Sequence, residues 1–77
     1  MKEFIEFIAK YLVDSPEHVI VEETIAEERK VNLTLRVKQE DVGKVIGKKG
    51  NTARSIRTLL TAASAKKGKR AVLEILE

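Results

Sequence analysis

The feature that most constrains this sequence is residues 47–50, Gly-Lys-Lys-Gly. Val45 and Ile46 precede them, and a run of helix-forming residues, 51–65, follows. Glycines let a ligand backbone approach the protein backbone closely. The open N–H groups and the dipole at the start of the next helix favour negative charge, and the two lysines add mobile cations. The segment therefore predicts a tight turn before a helix, suited to a phosphodiester backbone.

The charge distribution supports a polyanionic ligand. Residues 1–40 carry six basic and nine acidic side chains, whereas residues 41–77 carry nine basic and three acidic ones, within a net charge of +3. Residues 43–70 contain no acidic residue. A charge distribution this uneven indicates a polyanionic partner more clearly than the net charge does. The simpler alternatives are an ordinary turn between two helices and a solvated basic face.

Composition argues against several kinds of site. The chain has no cysteine and one histidine, His18, so a disulfide, a thiolate metal site or a nucleophile–base pair cannot be assembled. Residues 43–49 have three residues between their glycines instead of the four of a nucleotide-binding P-loop, and Lys49 stands where that loop needs Ser or Thr. We therefore expect a protein that is not an enzyme and needs no cofactor.

The length of 77 residues predicts one domain, residues 1–77. No apolar run reaches the roughly 20 residues of a membrane helix. Acidic residues stand near the N-terminus, where a signal peptide would have a basic leader. We expect a cytoplasmic protein without a membrane partner.

Hydrophobic periodicity predicts the elements of the first half. Phe4, Ile5, Ile8, Ala9 and Leu12 follow helical spacing and predict a helix over 2–13. We expect the neighbouring Phe7 and Tyr11 to pack into the core. A β-rich strand over 18–25 and an alternating strand over 31–37 follow, joined by a charged turn. The short link predicts antiparallel pairing.

In the second half, we expect a short helix over 39–46, a helix over 51–65 capped by Asn51 or Thr52, and a last strand over 71–76. The order is α-β-β-α-α-β. It predicts an α+β fold in which a three-stranded mixed sheet is covered on one face by helices. Because two helices precede the last strand, that strand can pair parallel to an earlier one.

The Val-Ile-Gly-Lys-Lys-Gly stretch at 45–50, followed by Ile56-Arg57-Thr58, resembles the V-I-G-x-x-G loop and helix of KH domains. The element order resembles the prokaryotic type II arrangement. Over essentially its whole length, the chain is similar to the small stand-alone bacterial KH proteins of the KhpA type. Ala53 departs from the pattern, since many KH domains carry a larger aliphatic residue there, and implies a shallower base groove.

The resemblance implies that single-stranded RNA is held by a loop that clamps four nucleotides. The glycines would allow close approach of the RNA backbone, two lysines would contact phosphates, and an apolar groove with Arg36 on its far wall would take the bases. The implied RNA-binding residues are Gly47, Lys48, Lys49, Gly50, Lys44, Val45, Ile46, Ala53, Arg54, Arg57 and Arg36.

The resemblance also implies a homodimer, or a heterodimer with a larger KH-containing RNA-binding protein. It further implies RNA chaperone or post-transcriptional work linked to cell elongation and division. On a helical wheel, Leu59, Ala62 and Ala63 extend the apolar arc of the 51–65 helix beyond what one sheet needs, and we expect a dimer interface there. The rival view places Leu59 in the core. The main alternative function is a protein-interaction subunit with a vestigial RNA site; strands on both sides argue against a helix-turn-helix DNA binder.

Overall fold

The computed structural model describes residues 1–76. The chain forms α1 (Lys2–Leu12), β1 (Ile20–Glu27), β2 (Lys30–Arg36), α2 (Val42–Ile46), α3 (Asn51–Ala65) and β3 (Arg70–Leu76). Short 3-10 turns at Pro16–His18, Gln39–Asp41 and Lys48–Gly50 precede β1, α2 and α3. The predicted α-β-β-α-α-β order is confirmed. No helix within the described residues is long and apolar enough to span a membrane.

The three strands form one mixed sheet in the order β1-β2-β3. β1 and β2 are antiparallel, with Ile20 opposite Arg36 and Val21 opposite Leu35. β2 and β3 are parallel, with Leu33 opposite Leu73. Both pairings agree with the sequence-based prediction. Because β3 returns beside β2, the central strand is β2 and β3 forms an edge of the sheet.

Alternation along β2 decides which side of the sheet is covered. Val31, Leu33 and Leu35 are buried in one core cluster with Ile5 and Ala9 of α1 and Ile56 and Leu60 of α3. The intervening residues of β2 point to the opposite face, which no helix covers in residues 1–76. The predicted fold class, helices on one face of a three-stranded sheet, is therefore confirmed.

The prediction that Phe7 and Tyr11 pack into the core is wrong. Their side chains are 73% and 78% exposed, whereas Ile5 and Ala9 are each 1% exposed. At 3.6 residues per turn, both aromatic side chains project roughly a third of a turn or more away from the Ile5 side of α1. Because α1 packs chiefly on the edge strand β1, that side meets solvent.

A buried carboxylate fixes the start of α2. Asp41 is almost fully buried, and its Oδ2 accepts a hydrogen bond from the backbone N–H of Ser15 at 3.1 Å. This bond ties the α1–β1 connection to the turn that leads into α2. The position of α2 sets where the 47–50 loop leaves the core.

Candidate nucleic-acid interface

The 47–50 loop needs glycine at its first position for two reasons. Gly47 has φ 77° and ψ 173°, a conformation essentially restricted to glycine. A Cβ there would also overlap the Thr52 side chain and lie 2.8 Å from the Thr52 amide nitrogen. The backbone of Gly47 is thus held tightly against the first turn of α3.

At its last position the loop requires glycine only because of the backbone conformation, and not because space for a side chain is lacking. Gly50 has φ 76° and ψ 9°, and a Cβ there would meet no atom within 4 Å. Lys49, just before it, is also left-handed, with φ 55°. The N–H of Gly50 donates to the carbonyl of Gly47 at 3.1 Å, which closes the turn. The space beside Gly50 is therefore open to a ligand.

The predicted side-chain cap of α3 is wrong. Gly50 occupies the N-cap position, and no side chain there accepts a hydrogen bond from the helix. Asn51 is already helical and its Oδ1 lies 3.4 Å from an Arg54 guanidinium nitrogen, while Thr52 packs under Gly47. The N–H of Asn51 donates to the Lys48 carbonyl, and the N–H groups that follow it in this 15-residue helix have no capping side chain, which suits an external anion.

A shallow cavity of about 390 Å³ opens beside the loop. Its lining residues are Ile46, Gly50, Ala53, Arg54, Arg57, Thr58 and Thr61. The small, 98%-buried Ala53 leaves the floor without a protruding side chain, consistent with the shallow groove expected at this position. The cavity combines an apolar floor with two guanidinium groups.

A second cavity of about 220 Å³ continues along α3. It is lined by Arg57, Leu60, Thr61, Arg70, Ala71, Val72 and Leu73. Arg57 and Thr61 line both cavities, so the two adjoin along α3 and form one groove, which β3 bounds only at the second cavity. A guanidinium nitrogen of Arg57 donates to the Leu73 carbonyl at 3.4 Å and joins the two walls.

The far wall of the groove is β3, so the expected position of Arg36 is corrected. Arg36 lies on the helix-free face of the sheet, on the central strand, with Nε 3.7 Å from a Glu22 carboxylate oxygen. It lines neither cavity among the residues described. The parallel return of β3 outside β2 is the physical reason, because it places β3 between the groove and β2.

The expected position of Val45 also needs correction. Its side chain is 0% exposed and belongs to the core cluster, so it cannot line the groove directly. Ile46, half-buried, does line it. In the five-residue helix α2, only one side faces the core, and Val45 occupies that side.

Lys44 is tied to an acidic residue. Its Nζ lies 2.7 Å from Asp14 Oδ2. This hydrogen bond, together with the charge of Asp14, raises the pKa of Lys44 above its usual value. Lys48, Lys49, Arg54 and Arg57 form no ion pair with the acidic side chains of residues 1–76. Cations without an ion pair are therefore present at the loop and on α3.

The outer side of α3 is not used by the core. Leu59 is 53% exposed, and Ala62 and Ala63 are exposed beside it. The view that Leu59 belongs to the core is therefore wrong. A third cavity, mainly apolar and about 400 Å³, is lined by Arg54, Ser55, Thr58 and Leu59.

Comparison with known proteins shows which family the chain belongs to. The family described as KhpA/KhpB, KH domain, matches residues 2–75. The chain belongs to this family. The KhpA/KhpB KH-domain family is not a family of enzymes, in agreement with the expectation from composition. Within residues 1–76, no three His, Asp or Glu side chains are grouped to hold a metal ion.

Similar proteins cover nearly the whole chain. The chain is 53% identical over 76 residues to "RNA-binding protein KhpA" of Clostridium perfringens (99% of this chain, 100% of the relative). It is 52% identical over 77 residues to the Aquifex aeolicus protein of that name (100% and 96%), and 43% identical over 77 residues to that of Chlamydia pneumoniae (100% and 97%). No solved structure shows a significant match.

Several residues that line the groove of this KH-family chain were not among those predicted from the sequence. Thr58 and Thr61 lie on the groove side of α3, and residues 70–73 of β3 form the opposite wall. Helical spacing from Arg54 and Arg57 could have found Thr58 and Thr61. Nothing local marks β3 as a wall, because its position depends on which strand it pairs with.

Proposed function

We propose that this chain is an RNA-binding protein that holds short single-stranded RNA at the 47–50 loop and in the adjoining groove. One observation carries the proposal: an uncapped helix N-terminus behind an open glycine turn, next to a groove with unpaired cations. The relatives' names, which describe RNA-binding proteins, support the same function. All 77 residues would act as one KH domain.

In this proposal the loop binds the RNA backbone. A KH loop clamps four backbone nucleotides. Gly47 and Gly50 allow the phosphates to reach the N–H groups at the start of α3, where the helix dipole favours negative charge. The exposed Lys48 and Lys49 supply the counter-charge. Backbone contacts of this kind set affinity and position, and carry no sequence information.

The bases would lie in the groove between α3 and β3. Ile46 and Ala53 give an apolar floor, and Arg54 and Arg57 can stack on bases or approach phosphates. The core residue Val45 supports this floor from below, and Lys44 contributes only to the surrounding field. Few bases and a shallow floor give weak binding with little sequence discrimination.

The test is a paired charge reversal. We expect Lys48→Asp with Lys49→Asp to abolish binding of a four-nucleotide oligouridine in fluorescence anisotropy. The fold should stay intact, because both side chains are exposed and Asp tolerates the left-handed conformation of residue 49. Lys2→Glu with Lys10→Glu, on α1, is the matched control and should bind nearly as well as wild type. Equal binding by the loop variant would remove the loop from the mechanism.

We also propose that the chain pairs through the outer side of α3, with itself or with a larger KH-containing RNA-binding protein. The exposed Leu59, Ala62 and Ala63 beside an apolar cavity support this pairing. Two linked grooves raise the effective concentration of the second site without new RNA contacts. If pairing persists in the loop variant while RNA binding is absent even in wild type, the alternative of an interaction subunit with a vestigial site is favoured.

In the cell, the proposed role is that of a cytoplasmic RNA chaperone or post-transcriptional regulator linked to cell elongation and division. This role rests on the KH-family resemblance. Crosslinking of the cellular protein to RNA, followed by sequencing of the attached fragments, tests RNA contact. Cell length after deletion of the gene, with the loop variant restored in parallel, tests the link to elongation. Normal length in the deletion strain would contradict that link.

A further inference from the structure

All three aromatic residues of the chain lie on α1. The sequence has two phenylalanines, one tyrosine and no tryptophan, and these residues are Phe4, Phe7 and Tyr11. Their side chains are exposed, whereas the buried core cluster consists of aliphatic side chains. They line none of the three cavities described above. Exposed apolar surface of this kind marks a site of interaction, and aromatic residues often dominate the binding energy of interfaces.

The spacing of these residues places them on one side of α1. Residues three or four apart are neighbours on a helix surface, so Phe7 lies next to both Phe4 and Tyr11. We name the three residues the aromatic stripe. Their spacing corresponds to positions a, d and a of a heptad, which is typical of a helix that packs lengthwise against another helix. Ile5 and Ala9, buried elsewhere around the helix, hold α1 on the sheet.

Two opposite charges flank the aromatic stripe. Glu3 and Lys10 are both exposed and seven residues apart, so they occupy the same heptad position, g, beside the stripe. Between antiparallel helices, each g position faces the g position of the other helix. In an antiparallel pair of α1 helices, Glu3 would therefore meet Lys10 of the second copy, twice. In a parallel pair, Glu3 would face the apolar Ile8 instead, so the charges favour the antiparallel arrangement.

The charge of Lys10 is available for such a contact. Within its own chain, its Nζ lies 3.9 Å from a Glu6 carboxylate oxygen, and both side chains are partly exposed. An exposed pair at this distance stabilises a helix only slightly. Lys10 can therefore contact a carboxylate of a second chain with little loss.

The aromatic side chains and the charges agree on where a two-fold axis would lie. Residues 3 and 10 are centred between positions 6 and 7, and residues 4 and 11 are centred between positions 7 and 8. Both centres are beside Phe7. An axis there would pack Phe7 against Phe7 of the second copy and Phe4 beside Tyr11 of the second copy. The surface is thus complementary to itself, as a two-fold contact requires.

The edge of the sheet beneath α1 is a poorer contact surface. The edge strand β1 carries three exposed carboxylates, Glu22, Glu23 and Glu27. Charged side chains along an edge oppose its pairing with another strand. Helix α1 is therefore the part of this side of the molecule that fits a second copy.

We infer that the aromatic stripe of α1 packs antiparallel against the same stripe of a second copy of the chain, with Glu3 and Lys10 paired across the contact. This contact is separate from the pairing proposed through the outer side of α3, and it does not depend on RNA binding. Helix α1 has 11 residues, or about 16 Å at 1.5 Å per residue, so the interface is small and the association weak. Where both contacts form, two different two-fold contacts on each chain lead to assemblies larger than a dimer.

The test exchanges the two charges. Every variant is made on a Leu59→Lys parent, which removes pairing through α3, and sedimentation equilibrium is measured from about 20 µM to about 1 mM, since a small interface is weak. Glu3→Lys alone and Lys10→Glu alone each place like charges opposite each other at two points. Each should associate at least about fivefold more weakly than the parent. An equimolar mixture of the two variants restores opposite charges at both points and should associate at least as tightly as the parent.

The control variants make the same changes in net charge away from the aromatic stripe. Glu17→Lys and Lys2→Glu alter exposed residues and should each associate like the parent, with no gain when they are mixed. Circular dichroism confirms that every variant is folded.

A second variant tests the aromatic contact itself. Phe7→Ala removes the side chain at the two-fold axis from both copies, so association should weaken by at least about tenfold. The side chain is mostly exposed in the single chain, so the midpoint of urea denaturation should hardly change.

Four outcomes would overturn the inference. A Leu59→Lys parent that stays monomeric over the whole range would show that the contact does not form. A mixture of the charge variants that associates no more tightly than each alone would show that Glu3 and Lys10 do not meet. An equal loss in the control variants would show that net charge is responsible, and unchanged association of Phe7→Ala would exclude the stripe. RNA binding is measured separately, so none of these results bears on the proposed function.

Discussion

At the residue scale, the two glycines of the 47–50 loop have different roles. Gly47 is needed both for its backbone conformation and because Thr52 leaves no room for a Cβ, whereas Gly50 is needed for conformation alone. The sequence shows that two glycines enclose the turn. It could not show the difference, which depends on how Thr52 packs after α3 has formed.

This difference predicts unequal costs of substitution. Gly50→Ala should lower the free energy of unfolding by about 1–2 kcal/mol through left-handed strain. Gly47→Ala should lower it by at least about 2 kcal/mol, because Thr52 must also move. Gly50→Asn should be milder than Gly50→Ala, since Asn tolerates this conformation. Urea denaturation measures all three, and equal losses for the two alanine variants would contradict the packing around Gly47.

A second residue-scale prediction concerns Lys44. The hydrogen bond and charge of Asp14 raise its pKa above the usual 10.5. A raised folded-state pKa stabilises the fold below the unfolded value, and this contribution is lost as pH rises through the folded value. The effect is small because the pair is exposed to solvent.

The difference in free energy of unfolding between wild type and Lys44→Met should therefore be constant from neutral pH to about pH 10 and should shrink above it. Other titrating groups cancel in this difference. Lys2→Met, which removes a lysine without an ion pair within residues 1–76, serves as the control and should show no such change. A difference that persists at strongly alkaline pH would mean that Lys44 acts through packing of its aliphatic stem.

At the scale of elements, hydrophobic periodicity predicted which helices and strands form, but not always which other parts of the molecule they contact. The alternation of Val31, Leu33 and Leu35 predicted β2 and its buried face correctly. The prediction that the aromatic residues Phe7 and Tyr11 of α1 are buried was wrong. Helical spacing shows that they lie near the apolar side of α1, but it does not show how narrow the sheet is on which α1 packs. β3 was predicted as a strand but not as a groove wall. Its neighbours come from long-range pairing, which local sequence does not encode.

Helix α3 divides its neighbouring leucines between two environments. Leu60 is 1% exposed and Leu59 is 53% exposed. Leu60→Lys should place a charge in the core and unfold the protein. Leu59→Lys should leave the free energy of unfolding of the monomer nearly unchanged and weaken self-association. Sedimentation equilibrium at micromolar concentration measures the latter, and a wild type that is monomeric there would leave only a heterodimer to be sought.

At the scale of the whole molecule, the fold sorts charge by position. Arg36 and Glu22 form an ion pair on the helix-free face of the sheet, and Lys44 forms an ion pair with Asp14. Among the cations without an ion pair in residues 1–76, Arg54 and Arg57 line the cavity beside the 47–50 loop, and Arg57 and Arg70 line the second cavity. The sequence predicted a basic half of the chain. The parallel pairing of β2 with β3 places β3 beside α3, where it lines the second cavity.

The central claim is that RNA binds at the 47–50 loop and in the groove beside it. Titration of ¹⁵N-labelled protein with four-nucleotide oligouridine, followed by amide chemical shifts, tests it most directly. We predict that the largest changes occur at residues 47–54, with smaller ones along the groove at Arg57 and Thr58. The amide chemical shifts of Arg36, on the helix-free face, should not change. Shifts concentrated on that face or around Leu59, with the loop amides unmoved, would contradict the account.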